Sequence, residues 1–206
     1  MSHNDISNRE YLDLVQTNDK TLPEFVLLPH EMDAVNIAYE ELQSSYQRIV
    51  DAKVSVSGGD DWHDGAFRAT DNEAKVIAAR SEKIAPLLDA TIVSYPDEDE
   101  VRATLGSRAL ISQGGFSFPV DIVGFRQVYP MGVVDPESGE EVEAVSSDSP
   151  LGEALLGKVQ GEAATYLNGE RRFEATIVRL NQVAVREYFS NIQTLTEEKD
   201  ESKSES

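Results

Sequence analysis

Two heptad-spaced rows of apolar residues constrain this chain more than any other feature. The first row has alternating spacings of three and four: Met32, Val35, Tyr39, Leu42, Tyr46 and Ile49. The second row repeats that spacing with apolar residues at all but two positions, Thr70 and Ser81: Phe67, Thr70, Ala74, Ile77, Ser81, Ile84 and Leu88. This period is that of an α-helix with one apolar face, so we predict helices over about 30–52 and 66–90. A turn-rich segment joins them, which predicts an antiparallel helical hairpin, with an irregularity at Pro86 in its second helix.

A second informative stretch, DSPLGEALLGK (148–158), specifies both ends of a short helix. Ser149 is a typical N-cap, Pro150 suits the first helical position, and Gly157 can close the C-terminus. Three leucines fall on one face of this helix: Leu151, Leu155 and Leu156. An apolar face of this kind predicts that the helix lies on a sheet.

Short β-rich runs separated by turns surround this helix. They are RATLGSRALI (102–111), VDIVGF (120–125) and a hairpin within 158–180 whose turn lies near Asn168-Gly169. Strand runs interrupted by a single helix are typical of an α+β domain.

The DSPLGEALLGK string resembles the signature of the GreA/GreB family of bacterial transcription elongation factors. In that family an SPLGxALLGK-like segment forms the helix of the C-terminal domain. The flanking runs resemble the same domain, so the likeness covers about eighty residues, from Arg102 to Leu180. The resemblance implies a C-terminal domain with an FKBP-like fold. An ordinary capped helix in an unrelated α+β domain is the alternative interpretation of the same residues.

These patterns divide the chain into five predicted regions. They are a loose N-terminal extension (1–24), the antiparallel helical hairpin or coiled coil (25–94), an acidic linker (95–100), a Gre-type FKBP-like domain rich in β-structure with one short helix (101–189) and an acidic disordered tail (190–206). Within the extension, Tyr11 and Leu12 are apolar enough to form a docked turn. The apolar run from Phe25 to Leu28 is expected to pack, because an exposed run of this kind is sticky.

The charge of the chain excludes some partners. Thirty-eight acidic residues against 18 basic residues give a formal net charge of −20. Nucleic-acid phosphates repel such a molecule, so we expect no autonomous DNA binding. The chain has no cysteine, which excludes disulfides and thiolate metal sites. No secretory signal pattern and no membrane-spanning apolar run is found, so we expect a cytoplasmic protein without a membrane partner.

The resemblance also implies a function. Gre factors bind RNA polymerase through the globular domain and insert the hairpin into its secondary channel. Acidic residues at the hairpin tip then help to hold a second Mg²⁺, and the polymerase cuts its own backtracked RNA. By this resemblance the chain is not itself an enzyme and binds no cofactor tightly. It shares Mg²⁺ with the polymerase and meets the nascent RNA only indirectly.

The predicted hairpin tip carries three candidate metal-assisting acids, Asp60, Asp61 and Asp64. The family pattern there is close to GDLSENAEY, and this chain has GDDWHDGAF (59–67). If Asp61 stands for the family aspartate, Asp64 falls on the family glutamate. Counting back from the second helix moves this register by about two residues. Gly and Asp also favour any exposed turn, so the composition alone does not assign a role.

A second candidate site is the start of the short helix. In the family this edge meets the polymerase, which implies contacts from five residues: Asp148, Ser149, Pro150, Leu151 and Gly152. Helix-start geometry and core packing explain Pro150 and Leu151 equally well.

Two further functions remain open at this point. A Gre homologue of the same architecture can occupy the channel and inhibit the polymerase without cleavage, and such relatives also carry acids at the tip. An acidic protein-binding adaptor unrelated to the polymerase is the other alternative.

Overall fold

The computed structural model describes residues 5–17, 21–56 and 64–191, without the side chains of 53–56, 64–67 and Val128. The described residues form two compact units. One unit, called here the sheet unit, lies within Met1–Glu31 and Thr91–Ser206, and the other, the helical unit, lies within Met32–Ala90. The predicted α+β class is confirmed.

The elements follow one another in this order: β1 (Asp5–Ile6), α1 (Asn8–Thr17), β2 (Val26–Leu27), α2 (Pro29–Val56), α3 (Asp64–Ile84), β3 (Thr91–Val93), β4 (Arg108–Gln113), β5 (Phe116–Val123), β6 (Glu143–Ser146), α4 (Pro150–Leu155), β7 (Ala163–Asn168), β8 (Arg171–Asn181) and α5 (184–191). Short 3₁₀ helices lie at Ala85–Asp89 and Arg126–Val128.

The helical unit consists of most of α2, all of α3 and the 3₁₀ helix that follows. Val35, Ile49 and Ile77 belong to the predicted apolar rows and are buried. Ile37 and Val76 lie outside the rows and are 58% and 52% exposed. The rows are therefore the more buried sides of the two helices, although Tyr46 of the first row is 44% exposed. The helix changes to 3₁₀ geometry at Ala85, next to Pro86, because proline has no N–H for the α-helical ladder.

The N-terminal segment differs from the loose extension predicted for 1–24. In the three-stranded sheet, ordered β1-β3-β2, strands β1 and β2 each pair in parallel with β3. Helix α1 then buries Tyr11 and Leu12 in the main core of the sheet unit. The Asn8 amide donates to the carbonyls of Ser94 at 2.8 Å and Leu105 at 2.6 Å, which fixes the start of α1.

A five-stranded mixed sheet, ordered β6-β5-β4-β8-β7, forms the rest of the sheet unit. Strands β5 and β6 are parallel, and the other neighbours are antiparallel. Leu155 of α4 and Leu156, which follows the helix, join Ile111, Ile122 and Ile177 in the core. The predicted packing of this helix on a sheet is therefore confirmed.

The unit boundaries also differ from the predicted division at 94 and 101. The chain re-enters the sheet unit at Thr91, because β3 completes the small parallel sheet. The acidic tail was predicted to begin at residue 190, but α5 continues to residue 191. Residues 192–206 lie outside the described part of the chain.

Candidate functional site

The three predicted tip acids are only partly within the described residues. Asp60 and Asp61 lie outside them, and Asp64 is the first residue of α3, where only the backbone is described. Their role as metal-assisting acids therefore stays a prediction.

Two basic side chains of the helical unit, Lys75 and Arg48, have partners nearby on their own helices. Lys75 pairs with Asp71 one helical turn away, at 2.7 Å. Arg48 donates to Ser45 Oγ at 3.0 Å. These contacts fit a solvated helix surface, in which each such pair contributes only a few tenths of a kcal/mol.

The start of α4 is built as the sequence predicts. The Ser149 hydroxyl accepts a hydrogen bond from the Gly152 N–H at 3.1 Å and donates one to the Ser146 carbonyl at 2.6 Å. Pro150 occupies the first helical position. Gly157 has a φ of +79°, a conformation that glycine adopts without strain. The predicted cap and termination signals are thus confirmed.

The five predicted contact residues divide into exposed and structural ones. Asp148 and Pro150 are exposed, Ser149 and Leu151 are half-buried, and Gly152 is buried. A Cβ at Gly152 would lie 2.0 Å from the Ser146 carbonyl oxygen, so glycine is required there for the close approach of two backbone segments. Of the five residues, only Asp148 and Pro150 are therefore exposed.

An open groove lies beside this helix start. Its apolar lining comes from Phe118, Val145, Pro150, Leu151 and Tyr166, and its volume is about 360 Å³. Arg126 and Glu143 also line the groove and form an exposed ion pair at 3.7 Å. The groove therefore combines an aromatic and aliphatic floor with a polar rim, the composition that protein-binding surfaces commonly have.

Helix α1 packs in the same core as the end of α4. This core contains Tyr11 and Leu12 together with Leu155 and Leu156, and burial raises the pKa of Tyr11. The short apolar cluster in the N-terminal segment was the only sequence signal for this contact.

A buried ionic network joins the strands on which the groove is built. The Arg108 guanidinium donates to the two carboxylate oxygens of Asp121, from Nε at 2.7 Å and from Nη2 at 2.8 Å. The Tyr129 hydroxyl also donates to Asp121. Burial raises the pKa of this tyrosine, and the negative charge of the Asp121 carboxylate raises it further. Arg108 Nη1 lies 3.4 Å from Asp135, which ties the loop before β6 to β4. Sequence reasoning missed this network, because its members meet only once the strand register is known.

A second missed group is the fully buried Glu31 at the start of α2. Its Oε2 accepts from the N–H groups of Leu28 at 2.7 Å and Gly124 at 3.1 Å, and its Oε1 accepts from Phe125 at 2.8 Å. Burial raises the pKa of Glu31 to about 7, although the three N–H donors act in the opposite direction. This carboxyl fixes the first turn of α2 to the end of β5.

His30 lies next to Glu31 and is buried as well. Its ring stacks on Phe189 with a centroid distance of 3.6 Å, and Nδ1 lies 2.6 Å from the Tyr95 hydroxyl. Burial lowers the pKa of His30 to about 3, so the ring is uncharged near neutrality.

The described residues contain no group of three or more His, Asp or Glu side chains placed to hold a metal ion. Among the helices of 5–17, 21–56 and 64–191, none has the length and apolar character needed to cross a bilayer.

Several solved protein structures are similar to this chain. No family model and no curated protein sequence matches this chain. Among solved structures, the chain is similar to the GreA factor homolog 1 (Gfh1) of Thermus thermophilus, with 20% identity over 77% of this chain and 99% of that chain and a TM-score of 0.33. The Gfh1 of Thermus aquaticus has 21% identity over 77% of this chain and 98% of that chain, with a TM-score of 0.34. A GreA/GreB transcription elongation factor from Nitrosomonas europaea has 19% identity over 77% of this chain and 99% of that chain, with a TM-score of 0.29.

These values do not assign the chain to a family, because the identities are near 20% and the TM-scores are 0.29 to 0.34. A functional proposal has to come from the residues of this chain.

Proposed function

We propose that this chain is a transcription elongation factor of the Gre kind, which binds RNA polymerase and stimulates cleavage of backtracked RNA by the polymerase. The observation that carries the proposal is the DSPLGEALLGK motif (148–158), folded as a capped helix at the rim of an apolar groove. A pair of long helices, α2 and α3, accompanies it, as the resemblance to Gre factors implies.

The polymerase-binding edge in this proposal is the start of α4. Asp148 and Pro150 supply the exposed contacts, and Leu151 adds half-buried apolar surface beside Tyr166. Ser149 and Gly152 act indirectly, because the cap and the close backbone approach hold the edge in shape.

The cleavage role in this proposal belongs to Asp60, Asp61 and Asp64 at the hairpin tip. Carboxylate oxygens are the ligands that Mg²⁺ prefers, so these side chains suit a metal shared with the polymerase active site. Bound there, a second Mg²⁺ would stabilise the charge that develops on the reacting phosphate. The aspartates would orient the ion, and the polymerase would remain the catalyst.

The other partner assignments follow from charge. A chain of net charge −20 is repelled by nucleic acid, so the proposal includes no autonomous DNA binding and only indirect contact with nascent RNA. It places the protein in the cytoplasm, with RNA polymerase as its main partner.

The test is a transcript-cleavage assay on stalled, backtracked elongation complexes with Mg²⁺ in excess. The full chain should release short 3′ RNA fragments. A variant in which Asp60, Asp61 and Asp64 are all replaced by Asn should release none. A matched control has the same charge change at three exposed aspartates: Asp89, Asp97 and Asp99. Cleavage that is equally fast with both variants would remove the tip acids from the mechanism.

The same complexes separate the two alternatives. Suppressed nucleotide addition without RNA release would identify a channel-occupying inhibitor. Binding itself is measured by the mobility shift of the polymerase, with Pro150→Asp as the variant that should weaken it. No shift by the unaltered chain would overturn polymerase binding and favour an acidic adaptor.

A further inference from the structure

The loop that leads into β6 presents an almost fully exposed methionine. Met131 lies in this segment, called here the 129–142 loop, and is 97% exposed. This is the highest exposure among the large apolar side chains that the structure describes. Apolar surface gains free energy when it leaves water, so a methionine held in this way is a candidate anchor for a partner.

The buried ionic network holds the loop in one conformation. At the start of the loop, the Tyr129 hydroxyl donates to Asp121. At its centre, the Asp135 carboxylate accepts from the Ser138 N–H at 2.9 Å and from its hydroxyl at 2.8 Å. The same carboxylate lies 3.4 Å from Arg108 Nη1. A loop that is already ordered loses little conformational freedom when it binds, which favours affinity.

Further hydrogen bonds close the loop around Met131. The Val142 N–H donates to the Val133 carbonyl at 2.7 Å. The Gly132 N–H, next to Met131 in the chain, donates to the Glu141 carboxylate at 3.2 Å. The position of Met131 is therefore fixed on both sides of the loop, and the contacts proposed at the start of α4 do not explain why.

A second groove lies beside Met131 and adjoins the groove at the start of α4. Its volume is about 610 Å³, and its apolar lining includes Tyr129, Pro130 and Met131. Both grooves are lined by the ion pair of Arg126 and Glu143. A partner bound at the start of α4 can therefore extend across this ion pair to Met131.

Acidic side chains dominate the rim of the second groove. Glu141 and Glu143 line it, Glu140 precedes them, and all three are exposed. Among the lining residues only Arg126 is basic, and it already pairs with Glu143. Such a rim attracts a basic surface and repels an acidic one, which includes nucleic acid and a second copy of this chain.

We infer that the 129–142 loop makes a second contact with RNA polymerase, in which Met131 enters an apolar hollow bordered by Lys or Arg side chains. This inference rests on the proposed function, because it extends the same binding surface. The unbranched methionine side chain adapts to the shape of the hollow. The Lys or Arg side chains of the border face Glu140 and Glu143.

The first test is a titration of the polymerase mobility shift with the full chain and two variants. Met131→Ser should weaken binding about tenfold, the scale of one anchor residue at a protein interface. Val101→Ser is the matched control, because Val101 is 68% exposed and lines neither groove. It should bind like the unaltered chain, and both variants should unfold at the unaltered urea concentration.

The second test concerns the charge of the partner surface. Binding should weaken as KCl rises from about 0.05 to 0.3 M, because salt screens attraction between exposed charges. Glu140→Gln should make this dependence less steep. Asp99→Asn removes an exposed charge outside both grooves and should leave it unchanged.

A third test asks whether the ionic network acts through Met131. Asp135→Asn loosens the loop and should weaken binding several-fold in the unaltered chain. In a chain that already carries Met131→Ser, the same change should have little further effect, because the anchor is gone. A general loss of structure would weaken binding equally in both chains.

The outcomes separate this inference from the proposed function. A polymerase shift that Met131→Ser leaves intact would overturn the inference alone, and so would binding that strengthens with salt. No shift by the unaltered chain would overturn both. Loss of RNA cleavage with intact binding would concern the tip acids and leave the contact of the 129–142 loop in place.

Discussion

Replacing Glu31 with glutamine should change how the stability of the sheet unit depends on pH. The carboxyl is 0% exposed and accepts three backbone N–H groups. Burial disfavours its charged form and raises its pKa from 4.5 to about 7. The glutamine side chain has nearly the same shape but does not titrate.

The direction of the effect follows from proton binding. Between about pH 4.5 and 7 the folded state holds the Glu31 proton more tightly than the unfolded state does. The free energy of unfolding therefore falls as pH rises through this window. The interval between the two pKa values corresponds to about 3 kcal/mol of differential stability. The neighbouring His30 acts in the opposite direction, because burial lowers its pKa from 6.5 to about 3 in the folded state, but Glu31→Gln leaves His30 in place and its contribution cancels in the difference.

The measurement is the difference in unfolding free energy between the unaltered chain and Glu31→Gln, from pH 5 to 8. Taking the difference cancels the other acidic residues of this chain. Urea titrations should be read by pulsed hydrogen exchange in peptides from β4 and β5, which report on the sheet unit alone. The difference should fall by about 3 kcal/mol as pH rises to 8. Glu170→Gln, at an exposed turn, is the control and should show no such slope.

A difference that stays constant from pH 5 to 8 would refute the reasoning. It would mean that the three N–H donors outweigh burial and keep the Glu31 carboxyl ionised throughout.

Three further substitutions test separate parts of the sheet unit by urea denaturation. Asp121→Asn removes the bidentate partner of the buried Arg108 and leaves only the longer contact with Asp135, and should cost about 3–5 kcal/mol; a cost below about 1 kcal/mol would contradict the network. Gly124→Ala places a Cβ 2.1 Å from the Val26 carbonyl oxygen and should destabilise by more than about 2 kcal/mol, unless β2 is free to move. Ser149→Ala removes the cap of α4 and should cost about 1 kcal/mol, and an unchanged urea midpoint would show that the cap bond contributes nothing.

Sequence periodicity predicted the elements whose signal is repeated over several turns. The two apolar rows give α2 and α3, since each row repeats often enough to distinguish a period of 3.6 from chance. The ends of α4 were predictable for another reason, because Ser149, Pro150 and Gly157 each have a local conformational preference.

Helix α1 was missed because its signal is short. Ten residues contain few apolar positions, and only packing of Tyr11 and Leu12 against distant strands makes the helix stable. Glu31 was missed because two of its three hydrogen-bond donors lie more than ninety residues away. Such a contact depends on the tertiary fold, and no local pattern reports it.

The motif that suggested a function is explained in large part by its own folding. Ser149 caps the helix, Gly152 lets Ser146 approach, and Leu155 fills the core, so these residues would be needed even without a partner. Exposed Asp148 and Pro150 have smaller structural roles, and side chains there have room to vary. A surface that binds a partner has to be read from those two positions and the groove beside them. Pro150→Asp therefore tests binding more directly than any change at the buried positions, because loss of binding without loss of stability separates the two roles.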